Sequence, residues 1–102
     1  MKSGYKVFWT DHALEELGST FQYLRLNFSD KEISRLANRI EAVVRSISTF
    51  PKLYPESSRQ KGVRRAVVAK FNSLYYRVDT TKKEIEILSF FSNRQDPKKL
   101  EY

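Results

Sequence analysis

Two apolar stripes of helical period, followed by three strand-like runs, most constrain what this 102-residue chain can fold into. Leu14, Leu17, Phe21, Leu24 and Phe28 recur at spacings of three and four, and so do Ile33, Leu36, Ala37, Ile40, Val43, Val44 and Ile47. Such spacing gathers each set on one face of an amphipathic helix. Neither face can remain in water, and the only large apolar surface left to cover them is a sheet made from the second half of the chain.

The boundaries of these elements are written in local signals. Tyr5 to Trp9 alternates and is rich in aromatic and β-branched residues, which predicts a short strand. Thr10 or Asp11 caps the first helix, and Asn27-Phe28-Ser29 closes it. Gly18 inside that helix costs about 1 kcal/mol relative to alanine, which suggests a point where another backbone approaches closely. Ser29 and Glu32 have capping-box spacing, so the second helix starts at about Asp30 and runs to Ser48, with Arg35, Asn38, Arg39, Glu41 and Arg45 on its outer face. The short connection predicts an antiparallel helix hairpin. The prolines of Phe50-Pro51-Lys52-Leu53-Tyr54-Pro55 stop it, with Phe50, Leu53 and Tyr54 expected to pack beneath the loop. Glu56 to Gly62 reads as polar and mobile.

Val63 to Phe71 is the next expected strand, with Arg65, Val67, Ala69 and Phe71 on one face and Arg64, Ala66, Val68 and Lys70 on the other. Asn72-Ser73 breaks the run. Leu74, Tyr76 and Val78 then alternate with Tyr75, Arg77 and Asp79, and Thr80 to Lys83 forms a hairpin loop. The last strand runs from Glu84 to about Ser92, and Leu88-Ser89-Phe90-Phe91 within it is apolar on both faces, as in a central strand. The expected class is α+β, one domain over residues 1–102. Its order is β-α-α-β-β-β, with the helix hairpin packed on one face of a small, mainly antiparallel sheet.

Charge adds a direction to this layout. The net charge is +7. Residues 59–102 hold 11 basic and 5 acidic residues, against 8 and 7 in residues 1–58, so nearly all of the excess lies with the strands. From Arg59 to Arg77 there are six cations and no acid. The face that the helices leave open is expected to carry Arg64, Lys70, Tyr75 and Arg77, with Arg94 at its end. Such a surface engages nucleic acid or an acidic partner segment; the plainer alternative is a solvated face kept basic for solubility. Arginines hold phosphate and stabilise developing charge in phosphodiester cleavage, and tyrosines stack on bases. Equally, Tyr75 and Tyr76 can be packing residues, with Arg94 bonded to Asp96 or to backbone carbonyls.

Other chemistry has little to stand on. The chain has no cysteine, so disulfides, thiolate metal sites and cysteine nucleophiles are excluded. His12 is the single histidine, and single histidines rarely make metal sites, so no metal or cofactor is expected. Gly4, Gly18 and Gly62 are scattered and make no phosphate loop. No Ser-His-Asp arrangement can be argued, and Glu84 and Glu86 read as solvent positions on a strand. No apolar run approaches the roughly 20 residues that span a bilayer. The segment Met1 to Lys6 is too short and polar for a signal peptide, so a soluble cytoplasmic protein is expected.

The β-α-α-β-β-β order, the Phe50-Pro51 and Tyr54-Pro55 loop, Gly62-Val63-Arg64-Arg65, the strand Leu74-Tyr75-Tyr76-Arg77-Val78 and the closing Ile85-Glu86-Ile87-Leu88 to Asn93-Arg94-Gln95-Asp96-Pro97 together resemble the RelE/ParE superfamily. These are toxins of bacterial type II toxin–antitoxin modules, also described as plasmid-stabilisation proteins. The resemblance implies a cognate antitoxin that wraps the toxin with a helical or extended, acidic and apolar segment. It is expected to cover the basic sheet face or the groove between that face and the helix hairpin. The resemblance also implies one of two targets. RelE-like members cleave mRNA on the ribosome with basic sheet residues, and ParE-like members lack that set and poison DNA gyrase. By position, Arg64 and Arg94 match basic site positions of the ribonucleases, with Tyr75 and Arg77 beside them and Tyr102 as a stand-in for a C-terminal tyrosine. Ala66 and Ser73 stand where the ribonucleases carry a lysine and an arginine. The resemblance therefore favours a gyrase poison, with a metal-free ribonuclease and a non-toxic, antitoxin-binding regulator as the alternatives.

Overall fold

Thr10 ends one element and begins the next. Its N–H donates to the carbonyl of Ile87 at 3.0 Å, continuing a strand pairing, while its hydroxyl accepts from the N–H of Ala13 at 3.1 Å and caps a helix. In the computed structural model, which describes residues 4–92, the elements are β1 (Lys6–Trp9), α1 (Asp11–Asn27), α2 (Asp30–Thr49), β2 (Val63–Ala69), β3 (Asn72–Asp79) and β4 (Glu84–Ser92). The predicted order is the observed one. The Ser29–Glu32 capping box forms as expected at the start of α2.

The strands lie in the order β1-β4-β3-β2. β2, β3 and β4 form an antiparallel meander, and β1 joins β4 in parallel after the long crossover that parallel strands require. β4 is thus central, which accounts for the burial of all of Leu88 to Ser92. Both helices cover one face. Leu24, Leu36, Ile40 and Ile47 meet Ala66, Val68, Leu74, Tyr76, Ile85, Ile87 and Phe90 in the main core. A second cluster, Val63, Tyr75, Leu88 and Phe91, lies on the other face. No helix among the described residues is long and apolar enough to cross a membrane.

Two irregularities set the faces. The β3–β4 register slips between Tyr75, opposite Ser89, and Tyr76, opposite Ile87, so Leu88 is an extra residue. This bulge moves the inward alternation from Ile85 and Ile87 to Phe90. The β2–β3 register slips at Val68. The turn between those strands is Lys70-Phe71, and Asn72 and Ser73 open β3 rather than interrupting it.

The buried line of α1 also differs from its apolar stripe. Ala13, Thr20 and Leu24 are buried, whereas Leu14 is 49% exposed and Phe28 projects at the helix end. The reason lies at the sheet edge. β1 stops at Trp9, and beyond it β4 would have a bare edge. Glu16 closes that edge: one carboxylate oxygen accepts from the Phe90 N–H at 2.9 Å and from the Ser89 hydroxyl at 2.7 Å. Turning Glu16 inward rotates Leu14 outward. Gly18 meets no neighbour, since a Cβ there would have no atom within 4 Å, so no close backbone approach explains it. Glu16→Ala orphans the buried Phe90 amide and should cost about 1–3 kcal/mol in urea unfolding. Glu16→Gln keeps an acceptor of the same shape and should lose less; equal losses would mean that the carboxylate's charge, and not merely an acceptor at that place, holds the edge.

Candidate functional site

The loop after α2 is held from below by two polar side chains of the sheet. The Tyr76 hydroxyl donates to the carbonyl of Pro51 at 2.8 Å, and Arg64 Nη1 donates to the carbonyl of Tyr54 at 2.6 Å. Arg64 and Tyr76 are cross-strand partners, and both lie on the helix-bearing face with Ala66 and Leu74. Arg64 therefore does not belong to the open face, where the sequence pattern placed it. The alternation was right, but its inward side is the one bearing Arg64, because Ala66 and Val68 fill the core. Phe50 and Leu53, expected beneath this loop, are 63% and 57% exposed; Tyr54 alone packs against the core.

On the other face, Tyr75 is buried beside Val63, and its cross-strand partner is Arg65. Arg65, Tyr75, Val67, Tyr54 and Arg59 line a cleft of about 480 Å³ beside the Pro55–Ser58 segment. That segment is tied to the sheet edge: the Arg65 N–H donates to the Pro55 carbonyl at 3.0 Å, and Glu56 bridges Arg64. The loop expected to be mobile is thus partly a strand partner. The cations that share the Tyr75 face at this cleft are Arg59 and Arg65. A register between β2 and β3 was needed to find them, since nothing within either strand distinguishes Arg64 from Arg65.

Arg77 lies on the same face but at its far end. It pairs with Glu86 at 3.8 Å, both side chains being half exposed, a contact worth little on a surface. Asp79, Glu84 and Lys82 line the adjoining cleft, so this end is mixed in charge rather than basic. Lys70 sits in the β2–β3 turn, with Nζ 5.3 Å from the Phe71 ring centre. The structure thus separates the predicted set: Arg64 under the loop, Tyr75 and Arg77 on the opposite face, Lys70 at the turn. Arg94, Asp96 and Tyr102 lie outside the described residues.

Ala66 and Ser73 are both enclosed. Ala66 has no exposed surface and is ringed by the main core. Ser73 is buried opposite Phe91, and its hydroxyl has no hydrogen-bond partner.

Residues 7–97 match the family described as the ParE toxin of the type II toxin–antitoxin system parDE. No curated protein sequence matches the chain significantly. Among solved structures, a chain of the chromosomal ParDE toxin–antitoxin system of P. aeruginosa is similar at a TM-score of 0.71 and 19% identity, over 89% of this chain and 98% of that one. The toxin–antitoxin complex RelBE2 of Mycobacterium tuberculosis gives 0.62 and 20% over 87% and 98%. The YoeB-YefM complex of Staphylococcus aureus gives 0.58 and 18% over 85% and 94%.

Proposed function

Because the chain belongs to the ParE toxin family of type II toxin–antitoxin systems, we propose that it acts in the cytoplasm by poisoning DNA gyrase and is held in check by a cognate antitoxin. The observation that carries the choice of target is the burial of Ala66 and Ser73. Cleaving a phosphodiester without a metal requires several cations converging where negative charge develops. Two strand positions that RNA-cleaving relatives use for this hold small, enclosed side chains here. Of the described residues expected at such a site, Arg64 is engaged with Tyr54 and Arg77 pairs with Glu86 on the opposite face, so these two do not converge. A gyrase poison needs a binding surface rather than a catalytic constellation, and the geometry is compatible with that lesser demand.

The test is DNA supercoiling by purified gyrase with the chain in excess, alongside pulse-labelling after induction in a bacterial host. Inhibited supercoiling is expected, with DNA synthesis falling before protein synthesis. Normal supercoiling together with an early fall in protein synthesis would replace this reading with the ribonuclease one. Arg94→Ala, which should then abolish mRNA cutting, would be the next variant. Unchanged growth on strong induction would leave an antitoxin-binding module without a poison.

A further inference from the structure

Two aromatic rings, Phe28 and Phe71, are 41% and 38% exposed where the end of α1, the first half of α2 and the β2–β3 turn meet. They line a groove of about 420 Å³ together with the buried side chains of Leu24 and Leu36. Cations border the same groove: Arg35 and Arg39, one turn apart on α2, and Lys70 in the β2–β3 turn. Its single carboxylate, Glu32, is committed to the helix start, bonded to the Ser29 side chain and backbone. Among the described residues, neither Arg35 nor Arg39 lies within ion-pair distance of a carboxylate. Lys70 Nζ is 5.3 Å from the Phe71 ring centre, so positive charge lies beside an exposed ring.

The groove also holds an unused donor. Asn72, the first residue of β3, is 5% exposed, and its Nδ2 has no hydrogen-bond partner. A buried donor without an acceptor is costly, and an apolar side chain of similar size would serve folding better. The terminal torsion of asparagine is soft, so a small rotation presents Nδ2 to an acceptor entering the groove.

We propose that this groove binds single-stranded DNA, taking a base into its apolar lining. The base stacks on the exposed rings of Phe28 and Phe71. It accepts from Asn72 through a keto oxygen or ring nitrogen, which every base carries. Arg35, Arg39 and Lys70 hold the phosphates to either side. Residues four apart on a helix are about 5–6 Å apart at Cβ, which lets the two arginines take successive phosphates of one strand. Duplex DNA keeps its base faces stacked and cannot use the rings. An acidic peptide would need several carboxylates within a few residues to match three cations, whereas a nucleic-acid strand brings one charge with every nucleotide. Deoxyribose suits the lining better than ribose: Asn72 is the one buried polar side chain among the described lining residues, and a 2′-hydroxyl would have no partner of its own. The inference goes beyond the choice of target and does not depend on it. Of the basic residues singled out in the sequence, only Lys70 takes part.

The test is fluorescence anisotropy of the full chain with labelled oligo(dU) at physiological salt, beside oligo(rU), an abasic strand and a DNA duplex of equal length. Oligo(dU) should bind about tenfold tighter than the abasic strand. Arg35→Glu combined with Arg39→Glu should weaken oligo(dU) binding at least tenfold, and Phe71→Leu about fivefold or more. Arg45→Glu, exposed and paired with Glu41 on α2, should leave it unchanged. Asn72→Leu should weaken binding while raising Tm, a combination that a merely structural asparagine would not produce. Equal affinity for the abasic strand or the duplex would reduce the effect to charge attraction and overturn the proposal. So would unchanged binding in the double reversal, in Phe71→Leu or in Asn72→Leu, a lowered Tm for Asn72→Leu, or no binding of oligo(dU) at all. Oligo(rU) bound as tightly as oligo(dU) would overturn the assignment to DNA. Each of these results leaves the toxin reading, which supercoiling tests, where it stands.

Discussion

Ala66→Lys, the substitution that would restore a cation at the ribonuclease position, is expected to cost at least about 3–5 kcal/mol, the scale of an unpaired charge left inside a protein. The side chain has no exposed surface, and its cross-strand neighbour is Leu74 in the main core. A lysine there must leave its ammonium in apolar surroundings, lose its proton, or push the helix hairpin off the sheet. Against a total stability of about 5–15 kcal/mol for a domain of this size, most of the molecule's reserve disappears. Urea unfolding of the variant decides the matter. A loss below about 1 kcal/mol would mean that the lysine stem reaches out under the Pro51–Tyr54 loop. The strand would then have room for a cation, and the argument for gyrase would lose its basis.

Tyr76→Ala is expected to be comparably damaging, at about 3–5 kcal/mol, because it opens a cavity in the core and releases the loop at Pro51. Tyr76→Phe separates the two effects. It keeps the ring and removes only the hydroxyl bond, for about 1 kcal/mol. A loss near that of the alanine variant would show that the loop anchor, and not the ring, holds this end together. The hydroxyl also gives a pH signature. Burial pushes the Tyr76 pKa from 10.0 up to about 12, against the opposing pull of the Arg64 charge. The folded state therefore retains the phenol proton after the unfolded chain has lost it. Stability contributed by the neutral phenol is complete below pH 10 and drains away as the pH rises through 12. The gap in stability between the parent chain and Tyr76→Phe should narrow over that window. A gap that stays constant would mean that the hydroxyl is not enclosed.

Much of the fold could be read before any coordinates. The Ser29–Glu32 capping box, the period of α2 and the Thr80–Lys83 loop each depend on residues within a turn or two of one another. The apolar run from Leu88 to Phe91 announced a central strand, because a strand covered on both sides needs no alternation. The first helix was harder. Its stripe included Leu14 and omitted Ala13 and Thr20, because the deciding residue was Glu16, whose partners Ser89 and Phe90 lie 73 and 74 positions away. No window along the chain contains that bond.

The candidate site was legible as a composition but not as a place. Sequence established that the strand half is basic, that Ala66 and Ser73 are not cations, and that the element order is that of this toxin family. The first two need only residue identities and the element order only local periodicity, while its match to the family came from the resemblance. The tertiary structure decided that Arg64 turns toward the loop while Arg65 and Tyr75 share the opposite face. It also decided that Arg77 sits among carboxylates and that the Nδ2 of Asn72 lies buried without a hydrogen-bond partner. Strand alternation says that neighbours point opposite ways without saying which way is inward. That choice comes from the pairing register, and a slip of one residue inverts it.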